Sequence, residues 1–282
     1  MKSIAIIPLL LICTACFANE IDKLRTNEDV QRFLATRVNK YFKEDFVLSD
    51  TRKHQTNADY GHNRFFKLDF DQNGLTDLII DGARLIVVLD SGQNKYEVHE
   101  LSSGAFFLNH TKLMQIDSLA SPDKLIVQQR IKPEGDLDTL VYVFGDFIEY
   151  NPAPEKTLNF ESIDIETGGC FGECPIFDMT INKGGSASFD AKEFNDKEGE
   201  FHSTLPDKEL AELIGLLSYL KVETLKDRYQ VGWTDDQTAT LRIHYDGKTK
   251  TISDYGEIGT FGLRALYGRF FDFRRTIDWQ KH

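Results

Sequence analysis

The sequence predicts an α+β protein in two parts. An N-terminal helix plus antiparallel β domain comes first, followed by a small α+β domain with two helices packed on a sheet. Three observations carry that prediction. An early stretch repeats its apolar residues at helical spacing. Short runs rich in Val, Ile, Phe and Tyr, broken by Asp, Asn, Gly and Ser, fill residues 64–150. Beyond a proline-containing break, strand-like and helix-like segments follow in the order expected of helices on one face of a sheet. With 41% hydrophobic and 28% charged residues, the chain can bury ordinary cores, and a mainly disordered protein is excluded.

The elements follow from the N-terminus. MKSIAIIPLLLICTACFANE carries one cation at Lys2, an apolar run from Ile4 to Ile12, and small residues at Ala15 and Ala18. Residues 1–18 therefore read as a secretory signal, too short to span a bilayer, and the expected location is the periplasm or the exterior. Cleavage after Ala18 would start the mature chain at Asn19. A second reading makes Cys16 a lipid-modified, membrane-tethered terminus, although Cys13 stands where a lipoprotein signal has an aliphatic residue. After the signal, no run of apolar residues is long enough for a transmembrane segment. The net charge of -12 argues against nucleic acid, whose affinity comes from clustered Lys and Arg.

Thr26 opens TNEDVQRFLATRVNKYFKE, a predicted helix whose apolar stripe is Val30, Phe33, Leu34, Val38, Tyr41 and Phe42, with Asp29 near the capping position. The runs FFKLDF, LTDLII, ARLIVVLD, KYEVHEL, KLIVQQR and LVYVFGDFIEY read as one antiparallel sheet, completing a domain over residues 19–150. NPAPEKTLN, residues 151–159, reads as the linker. The second domain, 160–282, has strands near FESIDIE, IFDMTI and SASFD, then a helix from about Pro206 with Leu210, Leu213, Ile214, Leu217 and Leu220 on one stripe. TLRIHY and KTKTIS form a hairpin around Asp246-Gly247. A last helix carries Leu263, Leu266, Tyr267, Phe270 and Phe273.

DFDQNGLTD is the first chemical signal. Asp69, Asp71, Asn73 and Asp77, with the Leu75 carbonyl, offer oxygens around a sharp turn at Gly74, a donor set that suits calcium. An EF-hand is excluded because its last position, a Glu, is Ile80 here and the flanks read as strands. The loop resembles the strand-loop-strand calcium loops of integrin-type propeller repeats, Asp-x-Asp-x-Asn-Gly-x-x-Asp, but occurs once, so a whole propeller is not implied. The competing reading is an Asn-Gly hairpin whose aspartates cap backbone amides. Crowded carboxylates repel one another without a counter-ion, which favours the ion.

ETGGCFGECPIF is the second signal. In an exported chain, Cys170 and Cys174 are most economically a disulfide. The short loop limits its contribution to about 2 kcal/mol. Gly168, Gly169 and Gly172 are expected to supply positive-φ backbone for so tight a turn. A redox pair remains an alternative, against the spacing of three intervening residues and the acids Glu166 and Glu173. Zinc would need further ligands, and His202 and His244 lie far off in strand-like runs.

Taken with RYQVGWTDDQT, Arg228 to Thr238, and ISDYGEIG, Ile252 to Gly259, the cysteine stretch resembles a bacterial family, domain of unknown function 6438, over about Phe160 to Arg275. The resemblance implies an exported small α+β domain and carries no established activity, cofactor or catalytic residue. Within it Arg228, Tyr229, Asp235, Asp236, Asp254 and Glu257 are candidates for a polar patch beside the cysteine turn, with the competing reading that they only cap turns. Trp233 offers a flat apolar contact with a polar edge.

No serine-hydrolase elbow, zinc-protease helix or phosphate-cradling loop is legible. The first functional reading is an exported, non-catalytic binding or cell-envelope-associated protein. A hydrolase of an envelope polymer or peptide, using Asp235, Asp236 or Asp254, is the second. A thiol oxidoreductase using the cysteine pair is the third. A deep site with facing carboxyls distinguishes the hydrolase, and a shallow aromatic-rimmed face the binding module.

Overall fold

The computed structural model describes residues 19–39, 64–82, 84–103, 110–119, 121–154 and 158–281. Residues 1–18, read from the sequence as a secretory signal and including Cys16, and Tyr41 and Phe42 of the first predicted helix lie outside the described residues, as do 155–157 of the proline-containing stretch. What is described is mostly β, with α-helices and several antiparallel sheets, a mixed α+β class.

Two short helices open the fold, α1 (Glu20–Lys23) and α2 (Asn27–Phe33). Each begins with a reciprocal capping box, Asn19 with Asp22 and Thr26 with Asp29, so the first orphan amides of both are satisfied by side chains. The second helix widens into a π-helical turn, Leu34–Val38, and stops at extended Asn39. Sequence periodicity carries the helix further. The Thr36 hydroxyl bonds back to the Arg32 carbonyl at 2.7 Å, and such a bond competes with the regular ladder.

The β-rich runs form two four-stranded antiparallel sheets where the sequence predicts one. The first joins β1 (Phe65–Leu68), β2 (Asp77–Asp81), β3 (Leu85–Asp90) and β4 (Tyr96–Glu100). The second joins β5 (Thr111–Asp117), β6 (Lys124–Gln129), β7 (Leu137–Val143) and β8 (Asp146–Glu149). LVYVFGDFIEY is two strands, because Phe144 and Gly145 both take positive φ and turn the chain between them. The strand β5 was not among the predicted runs: Thr111 and Leu113 are its only fully buried side chains.

The first sheet is buried on both faces, which explains its near-continuous apolar strands. Leu78, Ile80, Ile86 and Val88 pack under Ile21, Val30, Phe33 and Leu34 of the helical segment. Their alternates Ile79, Leu85, Val87 and Leu89 pack against Leu113, Leu125, Val127, Leu140 and Phe147 of the second sheet.

The C-terminal part is one eight-stranded sheet rather than a small one. Its strands in sequence are β9 (Phe160–Thr167), β10 (Ile176–Asn182), β11 (Ser186–Glu193), β12 (Gly199–Thr204), β13 (Arg228–Gln230), β14 (Thr238–Tyr245), β15 (Lys248–Tyr255) and β16 (Gln280–Lys281). They lie in the order β13-β15-β14-β9-β10-β11-β12-β16, antiparallel except for β13 on β15. Asp246 and Gly247 both have positive φ, the backbone that a two-residue hairpin requires. One face of the sheet buries Ile163, Phe177, Met179, Leu241 and Ile252 under α3 (Asp207–Tyr219) and α4 (Phe261–Thr276).

The N-terminus of α4 ties the two parts together. Glu149 of β8 accepts from the amides of Phe261 at 2.6 Å and Gly262 at 3.0 Å, a carboxylate at the positive end of a helix. The Phe261 ring belongs to the core of the two N-terminal sheets. Asn151, in the stretch read as a linker, donates from its backbone to the Tyr219 hydroxyl and from its side chain to the Tyr219 carbonyl.

Candidate functional site

Strand order brings the three family-like stretches to one place. Because β15, β14, β9 and β10 are adjacent and antiparallel, the end of β15, the start of β14, the end of β9 and the start of β10 share one end of the sheet. TGGCFGECPIF forms the β9–β10 connection, VGWTDDQ the loop into β14, and YGEIG the turn from β15 to α4. Gln237 fastens the first two, its Nε2 donating to the carbonyls of Gly168 at 2.9 Å and Pro175 at 2.7 Å. The Phe171 amide donates to the Asp235 carbonyl, and the Gly256 amide to that of Gln237.

Within the turn, the Cα atoms of Cys170 and Cys174 are 5.8 Å apart with the sulfurs at disulfide distance. Of the three glycines, Gly172 alone has positive φ, at 158°, close to extended. The sequence expected all three to need it. Hydrogen bonds from Gly168 to Thr238 and from Phe171 to Asp235 shape the turn instead. The Phe171 side chain is 87% exposed at its tip.

A cavity of about 440 Å³ opens where this end of the sheet meets the N-terminal sheets. Cys174, Asp236 and Glu257 line it from the C-terminal loops, Arg264 and Tyr267 from α4, and Glu100 and Asp146 from β4 and β8. Phe147, Phe261 and Phe271 give it apolar patches. The sequence reading nominated Asp236 and Glu257. It missed Glu100, Asp146, Arg264 and Tyr267, because nothing in the local pattern of β4, β8 or α4 distinguishes a side chain at this junction from any other on its element.

Glu257 occupies a left-handed backbone position, φ 49°, an uncommon conformation for a residue with a side chain. Burial pushes its carboxyl up to about 7, and the charges of Asp254 and Asp236 push the same way. Burial likewise lifts Glu100, to about 7, against the opposing pull of Arg84 at 3.0 Å and of Arg264. Glu257 Oε1, Glu100 Oε1 and Arg264 Nε are buried beneath the wall with no hydrogen-bond partner. A buried polar group without a partner costs about 1–3 kcal/mol unless a water or a ligand meets it.

Asp254 shapes the turn from below. It is fully buried and accepts from the amides of Ile258 at 3.0 Å and Gly259 at 2.8 Å and from the Tyr267 hydroxyl at 3.2 Å. Asp236 is held by the Trp233 indole, Nε1 to Oδ2 at 2.5 Å, so the Trp233 nitrogen orients an acid of the cavity. Gly256 must be glycine: its φ is 90°, and a Cβ would lie 2.7 Å from Val231 Cγ1. Asp235 is exposed in the neighbouring loop, with φ 78°. Arg228 and Tyr229, in β13, line a different groove. His202 is exposed on β12, and His244 sits between Asp164 and Thr249 on the sheet.

The acidic loop lies elsewhere, between β1 and β2. Carboxylate oxygens of Asp69, Asp71 and Asp77 come within 4.8 Å of one another, a spacing that could hold a cation. The same acids serve the backbone: Asp69 accepts from the Asn73 and Gly74 amides, Asp71 from Asn73, and Asp77 from Phe70 and Asp90. Asn73 Oδ1 accepts the Leu75 amide. Burial raises Asp71, aided by the charge of Asp69, and pushes Asp77 to about 7. A hard divalent cation fits such a set, since it would offset the charge that the fold gathers there.

One stretch of the chain matches a known family model. Residues 161–274 match the family model described as "Domain of unknown function (DUF6438)", a stretch that runs from β9 through most of α4 and includes all three loops at the cavity but not β16. The chain matches no curated protein and no solved structure. No helix among the described residues is long and apolar enough to cross a membrane.

Proposed function

We propose that the protein is an exported, non-catalytic binding protein of the cell envelope, and that its ligand enters the cavity between the C-terminal loops and the N-terminal sheets. The observation that carries this reading is the convergence on one cavity of the three family-like stretches, with Glu257, Glu100 and Arg264 left short of hydrogen-bond partners beneath its wall. Acids outnumber cations in the lining, so the fitting ligand brings hydrogen-bond donors or positive charge, as an amino sugar or a basic peptide does.

A second reading, the envelope hydrolase, is favoured by one feature: a concave site holding carboxyls raised to about 7, the range of a general acid at neutral pH. Among the predicted acids, Asp254 is committed to the turn and Asp235 lies outside the cavity lining, so the role would fall to Glu257 and Asp236. Both readings are tested by titrating the protein with a glucosamine trimer and following chemical shifts and probe mass. Binding lost in Glu257→Gln with the trimer intact supports the binding protein. Cleavage of the trimer supports the hydrolase, and no binding to either protein overturns both.

The acidic loop is proposed as a structural calcium site using Asp69, Asp71, Asn73, Asp77 and the Leu75 carbonyl. Calcium is expected to raise the melting temperature over that in chelator, and Asp69→Asn with Asp71→Asn to abolish the difference. A mass spectrum of exported material would distinguish cleavage after Ala18 from lipidation at Cys16.

A further inference from the structure

The turn from β15 to α4 has two sides. Gly256, Glu257 and Phe261 line the cavity already described, whereas Ile258, Gly259 and Thr260 line a larger groove of about 740 Å³. Its other walls come from the end of the second sheet, the end of α3 and the segment leading into β13.

The groove differs in charge from the molecule around it. Lys132, Lys221, Lys226 and Arg228 line it against two acids, Asp136 and Glu149, on a chain of net charge -12. Glu149 is occupied by the α4 amides, and Lys132 is paired with Asp138. Lys221, Lys226 and Arg228 make no side-chain hydrogen bond or ion pair among the described residues. Lys221 follows α3 in a left-handed conformation, φ 51°, where glycine or asparagine is the easier choice. A long cation at that position, beside two more, concentrates positive potential over one concave surface.

Three tyrosines complete it. The Tyr219 hydroxyl accepts the Asn151 amide at 2.8 Å, and that of Tyr229 accepts the Lys226 amide at 3.0 Å. Each phenol is fixed by the bond it accepts and keeps its own proton to donate. Burial raises both, so they stay protonated at neutral pH. Tyr150, 38% exposed, adds a ring with Lys124 stacked at 4.0 Å. Fixed hydroxyl donors and unpaired cations suit the ring oxygens, hydroxyls and acid group of an acidic sugar together, and the volume lies within the range of small-molecule sites.

We propose that this groove binds an acidic saccharide, with Arg228, Lys226 and Lys221 on its acid groups and Tyr219 and Tyr229 donating to its oxygens. It is a second site, independent of the first cavity and of whatever that cavity takes.

The test uses trigalacturonate, with neutral maltotriose and triglutamate as comparisons, followed by calorimetry on the full mature chain. Trigalacturonate is expected to bind more weakly as salt rises, and at least about tenfold tighter than either comparison, as charge-assisted hydrogen bonds to a fitted sugar require. Arg228→Ala, an exposed change that should leave the melting temperature unaltered, is expected to weaken it about tenfold. Glu257→Gln, in the other cavity, should leave it unchanged. Failure of trigalacturonate to bind, or equal binding of maltotriose, overturns the proposal. So does tighter binding of triglutamate, which would make the groove a peptide site. Indifference to Arg228→Ala, or loss of binding in Glu257→Gln, overturns it too.

Discussion

Glu257 couples the cavity to pH through a simple linkage. Its carboxyl titrates near 4.5 in an unfolded chain and near 7 in the fold, because burial disfavours the charged form. Between those values the folded chain holds a proton that the unfolded chain has released. Raising pH through that window therefore favours unfolding, and the loss is complete above about pH 7. Glu257→Gln removes the ionisable group while keeping its size. Urea titrations should find the variant and the parent equally stable near pH 4.5, and the variant more stable at pH 8 by on the order of 3 kcal/mol. Equal stability at both pH values would show that the carboxyl ionises freely in the fold.

At the scale of elements, the junctions are where single changes act most strongly. His99 of β4 faces Asp146 of β8 at 3.2 Å and Glu97 at 3.1 Å, and packs edge-on against Tyr142 and Phe147. Burial alone would lower its pKa. The bonds to Asp146 and Glu97 outweigh that and raise it to about 9. The stability this ion pair adds is fully present below the unfolded value of about 6.5 and is lost as pH rises through about 9. In Asp146→Asn the imidazole should titrate lower by NMR, and the stability loss between those values should shrink. The approach of α3 to α4 is the second junction, since a Cβ on Gly262 would overlap the end of the Leu220 side chain. Gly262→Ala should cost about 1 to 2 kcal/mol as that side chain is displaced, measured by thermal unfolding.

For the molecule as a whole, the cysteine pair closes one short turn, whereas the N-terminus of α4 is one of the connections between the parts. Replacing Cys170 and Cys174 together with serine should lower stability by about 2 kcal/mol and leave the fold intact, because the closed loop is short. Calorimetry on both forms reads this directly. A larger loss, or unfolding, would make the turn a keystone of the sheet. Glu149, Phe261 and Arg264 each reach from one part of the chain into the other: Glu149 to the α4 amides, Phe261 into the N-terminal core, Arg264 to the Leu101 carbonyl at 3.4 Å.

Local pattern sufficed wherever local forces decide. The period-two runs at FESIDIE and TLRIHY, the apolar stripes of α3 and α4, the Asp246-Gly247 turn and the Thr26 cap all depend on residues within one turn or strand, so they are legible in the text, whereas the four-residue helix capped by Asn19 is too short to show a period. β5 was not, since its apolar alternation is too sparse to signal a strand. Nor was the split of the β-rich runs into two sheets, because alternation fixes which face a side chain takes and not which strand lies beside it. The same limit governs the site. Cys174, Asp236 and Glu257 belong to recognisable stretches, but their meeting depends on β14 pairing with β9, seventy-odd residues earlier in the chain, a choice made by burial across the whole sheet. Glu100, Asp146 and Arg264 join them only because Glu149 and Phe261 seat α4 against the N-terminal sheets, and long-range packing of that kind leaves no mark on the spacing of the residues it unites.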